Sequence, residues 1–124
     1  MKFHLAETSG LNAITGYGLD HVLVNGTRHD QPLLVGPSLG PLAWPVLDFD
    51  ALSESDFERI AHHGPELVLV GTGRRLRFPS PRLTRPLADA RIGIEAMDTA
   101  AACRTYNILM GEGRLVLAAL LFDR

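Results

Sequence analysis

The sequence predicts an α/β domain in which helices cover a sheet and an extra β-layer or hairpin is added at the N-terminus. Two patterns predict this class. Short β-prone runs alternate with turn residues between residues 11 and 35, whereas helical and strand patterns alternate from residue 52 onward. A third observation limits the number of domains. The 124 residues, 46% of them hydrophobic, suffice for one core, so we expect a single domain over residues 1–124.

The N-terminal part carries the signals of a β-hairpin or meander. Asn25-Gly26 separates two β-prone runs and is typical of a two-residue hairpin turn. Gly16 and Gly18 flank Tyr17, which indicates a bulge or a close backbone approach within the first strand. Residues 36–45 contain three prolines and two glycines, so we expect a loop that leads into a short edge segment near residues 44–47.

The second part begins with a helix and a buried strand. Ser53 followed by Asp56 resembles a helix start, and Gly64-Pro65 ends this helix. After Glu66, residues 67–70 are all apolar, so residues 66–70 predict a strand buried on both faces. The turn Gly71-Thr72-Gly73 follows this strand directly.

Two further helix and strand units follow. Residues 83–89 predict a short helix, and residues 91–96 predict a second strand. Asp98 or Thr99 caps a third helix. The apolar run 115–121 predicts a last strand in the centre of the sheet, which the crossover rule makes parallel to the other two.

Charge and cysteine content argue against several function classes. The chain has 12 basic and 14 acidic side chains, a net charge of −2 and no block of like charges, so we expect no nucleic-acid partner. The single cysteine, Cys103, forms no internal disulfide, which fits a reducing, cytoplasmic location. The longest apolar run, 115–122, is far shorter than the roughly 20 residues that span a bilayer, so we expect no membrane insertion.

The sharpest candidate site lies where Gly71-Thr72-Gly73 and Met97-Asp98-Thr99 follow neighbouring strands. If these strands are parallel, both turns lie at the carboxyl edge of the sheet, where ligands of open α/β folds bind. Each turn also has a simpler explanation, because the glycines suit a tight structural turn and Asp98 suits a helix cap. A dinucleotide fingerprint is excluded, since a third glycine and an immediate helix are missing.

Other reactive side chains also have both a functional and a simpler structural interpretation. Arg74 follows the glycine turn, and Arg104 shares a helix face with Asn107. Arg104 and Asn107 together suit the binding of a carboxylate or of a protein partner. The simpler alternative is that Arg104 is solvated or paired within the protein. Cys103 falls among apolar helix positions, which favours core packing over a nucleophile. The histidines show no ligand spacing, so we expect no metal and no cofactor.

These motifs together resemble a known family. It is the family of small α/β domains that includes the mitochondrial respiratory complex I (NADH:ubiquinone oxidoreductase) assembly factor 3 and uncharacterised bacterial and archaeal proteins. The resemblance covers about residues 12–122. It is carried by residues 14–18 (ITGYG), Val24-Asn25-Gly26, Gly71-Thr72-Gly73 and above all residues 97–109 (MDTAAACRTYNIL), with Glu112 and Arg114.

The resemblance implies a compact domain of three layers, with a mixed central sheet, helices on one side and additional β structure. It also implies that the last strand runs antiparallel, and we adopt this orientation over the crossover rule. Because the mitochondrial member is a non-catalytic assembly factor, the resemblance implies a protein partner such as a respiratory complex subunit or another assembly factor. The recurrent residues of the family map onto Gly71, Gly73, Met97, Thr99, Tyr106 and Asn107.

Two functions of different classes follow. The first is a non-enzymatic interaction or assembly module, which predicts an exposed apolar patch. The alternative is a small-molecule or anion-binding protein, with or without catalysis, that uses the crevice between Gly71-Thr72-Gly73 and Asp98-Thr99. Arg74 or Arg104 is then the charge partner of the ligand. A homodimer through the edge strands of the N-terminal hairpin is a third arrangement.

Overall fold

A computed structural model describes residues 10–123. The strands are β1 Ile14–Tyr17, β2 Val22–Val24, β3 Thr27–His29, β4 Leu33–Gly36, β5 Leu39–Ala43, β6 Leu67–Thr72, β7 Gly93–Met97 and β8 Val116–Leu121. The helices are α1 Glu54–His62, α2 Pro81–Asp89 and α3 Thr99–Gly111, with a short 3-10 helix at Phe49–Ala51. The mixed α/β class predicted from the sequence is confirmed.

Strands β1, β2 and β3 form an antiparallel sheet in that order. Asn25 (φ 50°) and Gly26 (φ 85°) both adopt left-handed conformations, as the predicted two-residue turn requires. The register of β1 against β2 shifts between Ile14 and Gly16, which is the irregularity that the glycines predicted. A Cβ on Gly16 would lie 3.0 Å from the side chain of Leu23, so this position is also a close approach.

A second sheet of five strands has the order β5-β4-β8-β6-β7. The predicted central position of the last strand, β8, is therefore confirmed. The antiparallel orientation adopted from the resemblance is wrong with respect to the helix-linked strands, because β6 pairs parallel with both β7 and β8. The crossover through α3 explains this orientation, because it returns the chain to the other end of the sheet before β8 begins. Antiparallel pairing of β8 occurs only on its other side, with β4.

Residues 36–45 are not the loop that their prolines and glycines predicted. They include β5, which pairs antiparallel with β4. The reason is that β5 is an edge strand, where Pro41 is tolerated because a missing N–H on the free side breaks no sheet hydrogen bond. Trp44 follows β5 and is fully buried, with its ring packed edge-on against Phe57 at a centroid distance of 6.2 Å.

The helix starts follow the sequence signals. At α1, the backbone N–H of Ser53 donates to Asp56 Oδ2 at 2.8 Å, which completes a capping box. At α3, Asp98 is the N-cap and its Oδ1 accepts from the Ala101 N–H at 2.9 Å. Helix α2 begins at Pro81, two residues before the predicted start, since proline suits the first helical turn.

Three layers result. The strands of the larger sheet contribute side chains to two cores. On one face, α1 and α2 cover the sheet around Phe57, Ile60 and Leu87. On the other face, α3 packs together with the three-stranded sheet. Helices therefore lie on both faces, whereas the resemblance implied one. Within residues 10–123, no helix is both long enough and apolar enough to cross a membrane.

Candidate functional site

The glycine turn after β6 and the start of α3 lie side by side, because β6 and β7 are parallel and Gly71 is in register with Met97. Two hydrogen bonds join them. The Thr99 N–H donates to the Gly73 carbonyl at 2.9 Å, and the Gly73 N–H donates to Thr99 Oγ1 at 2.8 Å. The same hydroxyl donates to the Leu121 carbonyl at 2.6 Å. Thr99 thus ties together the carboxyl ends of β6 and β8 and the first turn of α3.

The two turns are therefore in direct contact at Gly73 and Thr99, and the crevice expected between them stays a prediction. A Cβ on Gly71 would lie 3.0 Å from both Cα and Oγ1 of Thr99. A Cβ on Gly73 would overlap the carboxylate of Asp123, and Gly73 also has a positive φ of 96°. The glycines are therefore required by the close packing of the chain on itself.

The loop after Gly73 is held by side chains at both ends. The Thr72 hydroxyl donates to the Arg75 carbonyl at 2.7 Å and accepts from the Arg77 N–H at 3.1 Å. Asp123 Oδ2 accepts from the Arg74 N–H at 2.9 Å. The loop from residue 73 to residue 77 therefore has a fixed backbone, while the Arg74 and Arg75 side chains are exposed.

A cavity of about 510 Å³ lies at the carboxyl ends of β6 and β8, beside this loop. The Arg77 guanidinium stacks 4.1 Å from the centroid of the Phe49 ring and pairs with Asp50 Oδ1 at 2.5 Å. This hydrogen bond, together with the charge of Arg77, holds the pKa of Asp50 below its usual range. The lining residues are Leu47, Asp48, Phe49, Asp50, Thr72, Arg75, Arg77, Leu121, Phe122 and Asp123.

Sequence reasoning missed the cavity arginines. Of the arginines that follow the glycine turn, only Arg74 is a candidate ligand residue in the sequence analysis, and Arg75 and Arg77 have no ligand role there. The usable signal is a cluster of arginines directly after a buried strand, at the edge of the sheet where ligands usually bind.

Arg104 and Asn107 have different roles on α3. Asn107 makes two hydrogen bonds to the backbone of Ile14. Its Oδ1 accepts from the Ile14 N–H at 2.9 Å, and its Nδ2 donates to the Ile14 carbonyl at 2.7 Å. The Arg104 guanidinium donates to the Tyr17 hydroxyl at 2.9 Å, which raises the pKa of Arg104. Arg104 is therefore internally paired, but with a neutral, exposed group, whereas Asn107 fastens β1 to α3.

The remaining reactive groups of α3 are buried. Cys103 is fully inaccessible, and desolvation raises the pKa of its thiol to about 12. Burial also raises the pKa of Tyr106, whose hydroxyl donates to the Asn12 carbonyl at 2.7 Å. The core-packing interpretation of Cys103 is confirmed. Within residues 10–123, no group of three or more His, Cys, Asp or Glu side chains is arranged to hold a metal ion.

This architecture defines a class of small α/β protein with known structural relatives. A crystal structure of a Bordetella parapertussis protein has a TM-score of 0.87 and 43% identity, covering 92% of this chain and 98% of that one. A solution structure from Bordetella pertussis, described as a Mth938-like domain, has a TM-score of 0.84 and 36% identity, covering 99% and 93%.

The sequence profile of the family described as "Protein of unknown function (DUF498/DUF598)" matches residues 14–121, and the chain belongs to this family. The matched range contains every helix and strand described above. The family resemblance seen in the sequence motifs is therefore confirmed.

Relatives with curated names include proteins from animals and from bacteria. The Bos taurus NADH dehydrogenase [ubiquinone] 1 alpha subcomplex assembly factor 3 is 34% identical over 110 residues, which is 87% of this chain and 59% of the relative. An uncharacterised Rhodobacter capsulatus protein is 34% identical over 91% of this chain and 86% of its own length. A Francisella tularensis protein named "13 kDa major membrane protein" is 32% identical over 56% of each chain.

Proposed function

We propose that this protein is a non-enzymatic, single-domain interaction module that assists the assembly of a respiratory membrane complex. The observation that carries the proposal is the similarity to the complex I assembly factors, which extends over 110 residues. The chain spans only 59% of the bovine relative, so the proposal concerns the shared domain.

The state of the polar groups on α3 supports an interaction role over a catalytic one. Thr99, Tyr106 and Asn107 all use their side-chain polar atoms to hold backbone groups of other elements. Cys103 is buried as an uncharged thiol. A function carried by α3 then depends on its exposed residues.

We define the α3–β1 surface as Tyr17, Leu19, Arg104 and Ile108, all of which are exposed. Tyr17 and Arg104 are in direct contact, Ile108 lies one helical turn beyond Arg104, and Leu19 follows Tyr17 in the next turn of chain. Tyrosine and arginine are enriched among the residues that dominate binding energy at protein interfaces. This composition supports a protein partner at the surface.

The charge of Arg104 indicates the chemistry of the partner. Among residues 10–123 its guanidinium forms no salt bridge, and its hydrogen bond goes to a neutral hydroxyl. A partner carboxylate would pair with the remaining N–H groups, while apolar partner side chains would cover Leu19 and Ile108. The proposed partner therefore presents an acidic residue beside an apolar patch.

Affinity co-purification of the full-length tagged protein from the cells that naturally produce it tests this proposal. Ile108 and Leu115 are almost equally exposed, at 62% and 64%, so Ile108→Asp and Leu115→Asp form a matched pair. We expect respiratory-complex or assembly proteins to be recovered with the wild type and Leu115→Asp. Recovery should fall about tenfold with Ile108→Asp and with Arg104→Ala. Recovery of the tagged protein alone, or equal recovery with both aspartate variants, contradicts the proposal.

A different observation supports the alternative function, the binding of a small organic anion. The cavity at the carboxyl ends of β6 and β8 has a volume typical of small-molecule sites and presents Arg75 and Arg77 beside apolar groups. The carboxylates of Asp48 and Asp123 also line it, but each already accepts a backbone N–H. An anion would compete with the exposed Asp50 for Arg77.

The melting temperature measured with benzoate and with inorganic phosphate tests this alternative. A ligand present at 100 times its Kd stabilises the native state by about 2.7 kcal/mol. We expect this stabilisation in the wild type and its loss in Arg77→Ala, while Arg104→Ala retains it. Arg74→Ala tests whether Arg74, which the sequence analysis named as a charge partner of the ligand, contributes to anion binding. Equal melting temperatures with and without both anions contradict anion binding.

Two further expectations from the sequence stay predictions. One is a cytoplasmic location, which fractionation of the producing cells tests directly. The other is a homodimer through the edge strands of the N-terminal hairpin, which sedimentation velocity at two protein concentrations tests. A sedimentation coefficient that does not change with concentration contradicts a reversible dimer.

A further inference from the structure

Strand β7 is one edge of the five-stranded sheet, and within residues 10–123 no strand pairs with its outer side. The Gly93 N–H points inward, since it donates to the Glu66 carbonyl at 3.1 Å. Backbone groups alternate in direction along a strand, so those of Glu95 and Met97 also point towards β6. The N–H and C=O groups of Ile94 and Ala96 therefore point outward, at the free edge.

A groove of about 380 Å³ runs along this edge. On β7 it is lined by the half-buried Ile94 and Ala96 and by the exposed Glu95, and Phe78, Pro79 and Thr84 complete the lining. Phe78 is 75% exposed, although it is one of the largest apolar side chains of the protein. Apolar side chains and free main-chain hydrogen-bonding groups thus face the same groove.

The opposite edge of the sheet is protected against strand addition. Strand β5 carries Pro41, and the β4–β5 pair has a register shift between Leu34 and Gly36. Prolines and bulges are devices that stop another strand from pairing with a sheet edge. The five residues of β7 include no proline, and β7 pairs with β6 in continuous register.

We propose that the β7 edge binds an extended segment of another protein by strand addition, with a basic side chain of that segment opposite Glu95. The added strand would take its main-chain hydrogen bonds from Ile94 and Ala96. Glu95 is exposed, and among residues 10–123 it forms no salt bridge. A basic residue of the added strand directly across from Glu95 would form an ion pair with it.

The same charge argues against a second copy of this chain as the occupant. Glu95 is the middle residue of β7, so a symmetric antiparallel pair of β7 strands centred on this residue would place the two Glu95 side chains opposite each other. Directly opposed like charges destabilise a strand pair. The groove therefore favours a partner segment with a central lysine or arginine between apolar residues.

Two capped pentapeptides test the proposal: acetyl-Thr-Val-Lys-Val-Thr-amide and the same peptide with glutamate in place of lysine. Each is titrated into the full-length protein, and amide chemical shifts are followed by NMR. We expect saturable shifts at Ile94 and Ala96, with the lysine peptide binding about fivefold more tightly than the glutamate peptide. Glu95→Lys should reverse this preference.

Further controls separate main-chain pairing from other modes of binding. Ala96→Pro removes an outward-facing N–H without loss of a bond to β6, so the fold should persist while peptide binding is lost. Methylation of the peptide amides that face β7 should abolish binding by the lysine peptide. Ile108→Asp should leave it unchanged, which keeps this result separate from the proposed assembly role.

Three outcomes would overturn the proposal. One is the absence of shifts at Ile94 and Ala96 with either peptide up to millimolar concentration. Another is equal affinity for the lysine and glutamate peptides in both the wild type and Glu95→Lys. The third is a concentration-dependent dimer that Ala96→Pro abolishes, since the occupant of the edge would then be a second copy.

Discussion

Thr99 is the residue whose replacement tests the packing at the carboxyl edge most directly. Its hydroxyl accepts from the buried Gly73 N–H and donates to the buried Leu121 carbonyl. Thr99→Val keeps the shape of the side chain but removes both hydrogen bonds. Thr99→Ser is the matched control, because it keeps the hydroxyl and loses only a methyl group.

The expected magnitude follows from these two bonds. A buried backbone group left without a partner costs about 1–3 kcal/mol, so the two groups freed by Thr99→Val should lower the free energy of unfolding by about 2–6 kcal/mol. Thr99→Ser should lose about 1 kcal/mol through the missing methyl group. For a chain of 124 residues, 1 kcal/mol corresponds to a fall in melting temperature of about 4 °C.

Urea unfolding followed by the fluorescence of Trp44 measures these differences. Trp44 is the only tryptophan and is fully buried, so its emission reports on loss of the core. The m-values of the variants should match that of the wild type, so that shifts in midpoint measure stability. If Thr99→Val is no less stable than Thr99→Ser, the hydroxyl does not hold the edge together and the reasoning is refuted.

Three further predictions follow from single contacts. Asp98→Ala should cost about 1 kcal/mol in urea unfolding through loss of the α3 N-cap, and Asp98→Asn should restore most of it; equal stability of all three forms contradicts capping. Cys103 should react with a thiol reagent at pH 8 only after urea unfolding, and rapid labelling of the native protein contradicts its burial. The hydrogen bond from Arg114 holds the pKa of Glu66 low, so the pair stabilises the protein above the ordinary pKa of 4.5 and loses this effect as the pH falls through the lowered value. In NMR titration, Arg114→Gln should raise the pKa of Glu66, and an unchanged value contradicts the pairing.

Local signals predicted much of the fold. The Ser53 capping box, the Asn25-Gly26 turn and the Asp98 cap each depend on a few neighbouring residues, and the structure has all three. Strand β5 was missed because Pro41 is a general breaker signal, and only the edge position of the strand makes it harmless. That position depends on the whole sheet, which no local window contains.

The site was harder to predict for a related reason. The assumption that β6 and β7 are parallel correctly predicted that the Gly71 turn lies beside the start of α3. The sequence pattern alone could not show whether the two turns contact each other or leave a crevice. The contact depends on the Thr99 hydroxyl, which makes hydrogen bonds to the Gly73 N–H and to the Leu121 carbonyl. The cavity beside Arg77 also depends on Phe49 and Asp50, which are distant in sequence and belong to a short 3-10 helix that no pattern indicated.

Two of the residues on which the family resemblance was based are also residues that hold the fold together. Thr99 and Asn107 each make two long-range hydrogen bonds to the backbone, so replacing either one would leave backbone groups without partners. Family members that share these residues share a framework, and this alone does not require a shared partner. Partner choice in such a framework has to come from exposed positions, where substitutions cost little stability. Arg104 and the β7 edge are such positions, and they are therefore where a difference in function between this protein and its relatives is to be sought.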